Sequence, residues 1–180
     1  RREESLEKAK AMGAIDSAHL DMREACDGAD LIVLCTPAAA IPDQLDAIHP
    51  ICATHAVVTD VASTKATISN HVAATWPRPL RFVGSHPMAG SEKYGPEHGR
   101  SDLYEGAWTI VCPQNAADDA HKTVTRLWKS VGARIIELSP ADHDATVART
   151  SHVPHVVAAC LAEVAAEAGD VSALVGKGFR

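Results

Sequence analysis

Apolar positions along this chain fall into short continuous runs, separated by stretches with helical spacing. The run Ala29, Asp30, Leu31, Ile32, Val33, Leu34, Cys35 follows an acidic start and predicts a parallel strand buried on both faces. Thr36 and Pro37 break it. A helix is expected over residues 39–48, with Pro42 tolerated in its first turn. A second strand is predicted over 56–60, a helix over 63–74, and a third strand over 81–84. Further along, 107–112 and 133–138 read as strands around a helix over 117–131. Ahead of these, residues 3–12 carry acidic residues in a first helical turn and Gly13 as a stop, and 22–26 forms a short helix.

The alternation of strand and helix with short connections predicts an α/β fold with a doubly wound parallel sheet. From Pro140 the pattern becomes long and helical, with Val153, Val156, Val157, Cys160, Leu161 and Val164 apolar. Residues 1–139 are therefore expected to form one domain, and 140–180 to begin an all-helical one. Residues 91–106 are polar and aperiodic, and a loop that long is more often functional than decorative.

Composition narrows the partners. A 180-residue chain with 46% apolar and 22% charged residues is an ordinary globular protein. A net charge of −6 argues against a nucleic-acid partner. No apolar run is of membrane-spanning length and no signal-peptide pattern is visible. Five scattered cysteines without metal-ligand spacing point to a reducing cytoplasmic setting, with Cys35 and Cys112 expected as small buried hydrophobes.

Candidate chemistry gathers at strand ends. His86 lies in the segment Gly84, Ser85, His86, Pro87, Met88, Ala89, Gly90, Ser91, Glu92, just after the third strand. In doubly wound folds ligands bind beyond the carboxyl ends of the strands. Pro87 keeps His86 extended, and imidazole suits proton transfer near neutral pH. Gly84 and Gly90 are expected to let the backbone approach a ligand. Ser63, in Thr59, Asp60, Val61, Ala62, Ser63, Thr64, Lys65, stands at a strand-to-helix junction. It fits either a helix cap or a hydroxyl in the same crevice as His86. Thr36 and Pro37 form a plain turn or the border of a nicotinamide ribose. Ser151 and His155 are four residues apart and share a helix face, and Pro154, flanked by His152 and His155, predicts a kink in that helix. No glutamate has the spacing of a zinc-protease helix, which disfavours a metal there.

Taken in order, these segments resemble the prephenate/arogenate (cyclohexadienyl) dehydrogenase family. Its markers include the run ending at Thr36 and Pro37, the segment from Thr59 to Lys65, and the segment from Gly84 to Glu92. Leu103, Tyr104, Glu105, Gly106, then His143 and Asp144, then Ser151 to His155 follow at fitting intervals. The resemblance implies a Rossmann-like domain followed by a helical dimerisation domain, and a homodimer. It implies oxidative decarboxylation of prephenate or arogenate with NAD or NADP, in tyrosine biosynthesis. His86 would take the ring hydroxyl's proton, and Ser63 would orient that hydroxyl and His86. Thr36, Pro37, Asp60 and Ser63 would face the cofactor. Ser91, Glu92, His152 and His155 would lie around the substrate's side-chain carboxylate.

The chain departs from that pattern at both ends. No glycine-rich phosphate loop is present, and Arg1 reads as following the acidic end of a missing second strand. Arg180 falls inside the glycine turn that precedes the family's substrate-binding arginine. The expectation is a partial Rossmann-like sheet without its first βαβ portion, and no tight dinucleotide binding or turnover by these 180 residues alone. Competing readings are another Rossmann-type hydroxyacid or imine oxidoreductase, and a non-catalytic binding protein on the same scaffold.

Overall fold

The computed structural model describes residues 3–90, 93 and 95–167. Five strands form one sheet in the order β1 (Leu31–Leu34), β2 (Val57–Asp60), β3 (Phe82–Pro87), β4 (Trp108–Cys112) and β5 (Arg134–Glu137). Helices α1 (Glu3–Ala11) and α2 (Met22–Cys26) precede the sheet. Helix α3 (Ile41–Ile48) joins β1 to β2, and α4 (Ala66–Thr75) joins β2 to β3. Helix α5 (Asp118–Ser130) joins β4 to β5, and α6 (Pro140–Val147) and α7 (Val153–Glu167) follow.

Strand alternation builds a core on each face of the sheet. Val58 and Phe82 point to one side, where they join Ile41, Leu45 and Ile48 of α3 and Ile68 and Val72 of α4. Val57 and Val83 point to the other, with Val111 and with Ala120, Val124 and Trp128 of α5. Those three α5 positions are four apart, the stripe that a surface helix turns to its sheet. The parallel steps β1–β2–β3 with helices on both sides are the doubly wound arrangement expected from the sequence.

Two features differ from the expected pattern. β1 lies at a sheet edge, and of its four residues only Leu34 is buried, while Val33 is 36% exposed. An apolar run records what a strand is built to bury, not whether its neighbour is at hand. β4 runs antiparallel to β3. Among the described residues between them are turns and the short 3-10 helix Pro96–His98 and no crossover helix, and the chain re-enters the sheet in the opposite direction. β5 then pairs parallel with β4.

The chain divides into two compact units, residues 1–143 and 144–180. In the second, the irregularity expected at Pro154 takes the form of a π-helical turn over Ala148–His152, leading into α7. Proline offers no N–H to the carbonyl four residues back, and a wide turn is one way for a helix to absorb that loss. Among the described residues no helix is long and apolar enough to cross a membrane.

Candidate active site

His86 is a strand residue, opposite Ile110 of β4, rather than part of a turn after the strand. Its parallel partner β2 stops short: the last β2–β3 pair is Thr59 with Val83. The half-buried imidazole is thus presented beyond the end of β2, on a backbone that β4 fixes. Its Nδ1 lies 2.9 Å from Nε2 of His143, and the two rings meet edge to face with centroids 5.1 Å apart.

The sequence positions His143 locally. Ser139 opens α6: its hydroxyl accepts from the Asp142 amide at 3.1 Å and donates to the Asp142 carboxylate at 2.6 Å. Pro140 takes the first helical position, where its missing N–H costs nothing. His143 follows one turn into the helix, and its side chain is fully buried. One proton must lie between the two imidazoles. When His86 Nδ1–H donates to His143 Nε2, the basic lone pair of His86 stands on Nε2.

Behind His86 is a buried polar cluster. Thr59, Asp60, Lys65 and Ser85 are all fully buried. Lys65 Nζ donates to Asp60 Oδ2, which also accepts from the Ala62 amide at 3.0 Å. The Ser85 amide donates to Asp60 Oδ1 at 3.3 Å, and the Ser85 hydroxyl to the Asp60 carbonyl at 2.6 Å. The Thr59 hydroxyl lies 2.6 Å from the Val83 carbonyl and 2.9 Å from the Ser85 hydroxyl. Burial pushes the Asp60 carboxyl up from its ordinary value, and the Lys65 ammonium and the two amides pull against that rise.

These contacts change several expectations. Asp60 cannot face a cofactor directly, because it is fully buried with both carboxylate oxygens engaged inside the protein. Gly84 makes room for a side chain of this protein: a Cβ there would sit 3.1 Å from Cδ of Lys65. Gly90 has open space around its α-carbon. Ser63 does not cap α4, which begins at Ala66 with no side-chain cap. It is exposed in the β2–α4 loop, whereas the His86 imidazole lies 2.9 Å from His143. Thr36 follows β1, its hydroxyl donating to Gln44 Oε1 at 2.6 Å, and Pro37 is exposed beside it. Cys35 is exposed at the end of the edge strand, whereas Cys112 is buried as expected.

Ser91 and Glu92 lie outside the described residues. In the second unit His152 and His155 are both exposed, and His155 Nδ1 lies 2.9 Å from the Ser151 carbonyl one turn back. His143 was not among the site residues expected from sequence. Its partner is 57 positions away, a pairing that no local periodicity encodes.

Comparison with known proteins places this arrangement. Residues 1–137 match the model of the prephenate dehydrogenase nucleotide-binding domain, and 139–180 that of the prephenate dehydrogenase dimerization domain. A cyclohexadienyl dehydrogenase of Zymomonas mobilis is 31% identical over 84% of this chain and 52% of its own length. A prephenate dehydrogenase of Bacillus subtilis is 32% identical over 88% of this chain and 43% of its own. The crystal structure of Aquifex aeolicus prephenate dehydrogenase in complex with hydroxyphenyl propionate and NAD+ superimposes with a TM-score of 0.89 at 31% identity, covering 99% of this chain and 64% of that one. The chain thus spans about half the length of the curated relatives it matches. With both family models in register along it, this chain belongs to the prephenate dehydrogenase family.

Proposed function

We propose that this chain supplies the proton-accepting group and the nicotinamide-facing sheet edge of an NAD(P)-dependent dehydrogenase, which oxidises prephenate or arogenate with release of CO₂ on the route to tyrosine. The observation that carries the reading is the 2.9 Å contact between His86 and His143, beyond the end of β2. A carbinol carbon gives up hydride only as its hydroxyl proton departs. The base must therefore have a proton affinity near working pH, and imidazole, with an unperturbed pKa of about 6.5, meets that need. His143 holds the His86 ring in one orientation, and with His86 Nδ1–H as the donor the lone pair of His86 stands at Nε2. Loss of the ring carboxylate then yields an aromatic product, a downhill step that needs no further acid or metal.

A bound oxidised nicotinamide supplies the hydride acceptor. The residues present fit its nicotinamide end. Exposed Pro37 after β1, exposed Ser63 after β2 and half-buried His86 near the end of β3 mark successive parallel strand ends, where doubly wound folds take ligands. Thr36 and Pro37 border the nicotinamide ribose in this reading. Ser63 meets the reacting hydroxyl, and Asp60 acts from within by holding the Ser63 loop. Ser91, Glu92, His152 and His155 recognise the side-chain carboxylate.

Residues 1–139 correspond to the nucleotide-binding part and 140–180 to the start of a helical part through which two copies pair. Exposed Val153, Val156, Val157, Leu161 and Val164 on α7 favour that pairing. The scattered spacing of the cysteines supports a reducing cytoplasmic setting.

The test is His86→Asn in the full-length protein, assayed with both substrates and both cofactors. Turnover is expected to fall by about 10²- to 10⁴-fold, the range for a lost general base, while cofactor binding persists. Unchanged turnover would remove His86 from the mechanism.

A further inference from the structure

We propose that the buried Asp60–Lys65 pair, threaded beneath Gly84, is a positioning device that sets the Ser63 loop against the strand carrying His86. This rests on the reading of His86 and Ser63 given above.

Lys65 precedes α4, where an exposed lysine would be unremarkable. Instead its side chain turns inward and is fully buried. Its stem passes β3 at the one position without a side chain, and its ammonium reaches the carboxylate at the end of β2. That carboxylate binds three donors from two directions. Lys65 and the Ala62 amide come from the loop that holds Ser63, and the Ser85 amide comes from the residue before His86. Loop and strand are therefore gripped by one group. A helix start can be capped, and a core filled, without burying a charge pair. A point of attachment shared between the two reacting segments needs a group that accepts from both, and a carboxylate does so.

The test uses two variants of the full-length protein. Gly84→Ala keeps both charges but forces the Lys65 stem to shift by a few tenths of an ångström. The double variant Asp60→Asn with Lys65→Met removes both charges together. In each folded variant kcat is expected to fall roughly tenfold, because misplacement of reacting groups by less than an ångström costs that much. KM for substrate and affinity for NAD are expected to hold. The loss should shrink toward nothing when Ser63→Ala is already present, since the hydroxyl being positioned is then gone.

A purely structural pair would lower thermal stability and leave kcat of the folded protein unmoved. A folded Gly84→Ala or double variant with kcat within about twofold of the parent overturns the proposal. So does a loss that persists undiminished beside Ser63→Ala. His86→Asn separates the two readings. If it abolishes turnover while these variants do not, only the positioning role falls; if it leaves turnover intact, the assignment of the base falls first.

Discussion

The interior beneath His86 and the surface of α7 invert the usual distribution of side chains. The first buries a carboxylate, an ammonium and two hydroxyls completely. The second exposes Val153, Val156, Val157, Leu161 and Val164, each more than half accessible. Buried charge is costly unless it is paired and hydrogen-bonded, and the Asp60 cluster meets both conditions. Exposed apolar residues at helical spacing mark a face made for contact. Helix α5 supplies the ordinary case, with its apolar stripe turned to the sheet and its charges to solvent. The contrast teaches that departures from the usual pattern point in opposite senses: the buried polar cluster lies behind the base proposed above, and the exposed apolar face of α7 is where the proposed pairing would occur.

The largest effect should come from breaking the interior pair on one side only. Lys65→Met leaves a buried carboxylate without its cation and is expected to destabilise the protein by about 3–5 kcal/mol, read from urea unfolding. Adding Asp60→Asn should restore much of that. A loss below about 1 kcal/mol for the single change would mean that the charge finds water after all.

A smaller effect is expected from the exposed face. Val157→Glu with Leu161→Glu should leave melting of the sheet-bearing unit unchanged. It should weaken self-association of the full-length protein roughly 100-fold or more, since burial of each such side chain contributes about 1.5–3 kcal/mol. Sedimentation across a concentration series reads this, and unchanged association would place the pairing face elsewhere.

The smallest effect belongs to an exposed ion pair, which serves as the reference for the buried one. Arg81 lies 2.9 Å from Asp119 and holds its carboxyl below the ordinary value. A carboxyl lowered in the folded state adds stability that is present at neutral pH and lost as pH falls through the lowered value. Asp119→Asn should therefore melt slightly earlier than the parent near pH 7 and together with it in acid. Melting curves at the two pH values decide this. A shift as large as that of Lys65→Met would erase the distinction between surface and interior.

Much of the architecture was legible in the sequence because strand and helix periods are local. The helix over 22–26 and the alternation of α with β appear where they were expected, and the helix expected over 39–48 spans 41–48 behind a 3-10 turn. The direction of β4 was not legible, because a strand pattern carries no sense of orientation; the absence of helical periodicity in the sequence over 91–106 was the available clue. The nearness of His86 to the carboxyl end of the third strand was legible, but it was expected in a turn after residue 84, whereas the strand continues through Pro87. Its partner was not legible, since nothing in a run of 57 residues says that α6 returns to that spot. The burial of Lys65 was not legible for a related reason. Lysine beside a helix start reads as solvated, and only the missing side chain at Gly84 opens the passage it uses.

The unequal lengths of β2 and β3 have a mechanical consequence. β3 runs four residues beyond its last pairing with β2; over that span β4 is its strand partner, and on the other side Ser85 is tied to Asp60. The imidazole therefore rides one residue past that tie, on a backbone that is paired along its length on the β4 side. Disturbance should reach it through that pairing. A bulkier or smaller residue in place of Ile110, its cross-strand neighbour, would tilt the ring without touching anything the ring reacts with.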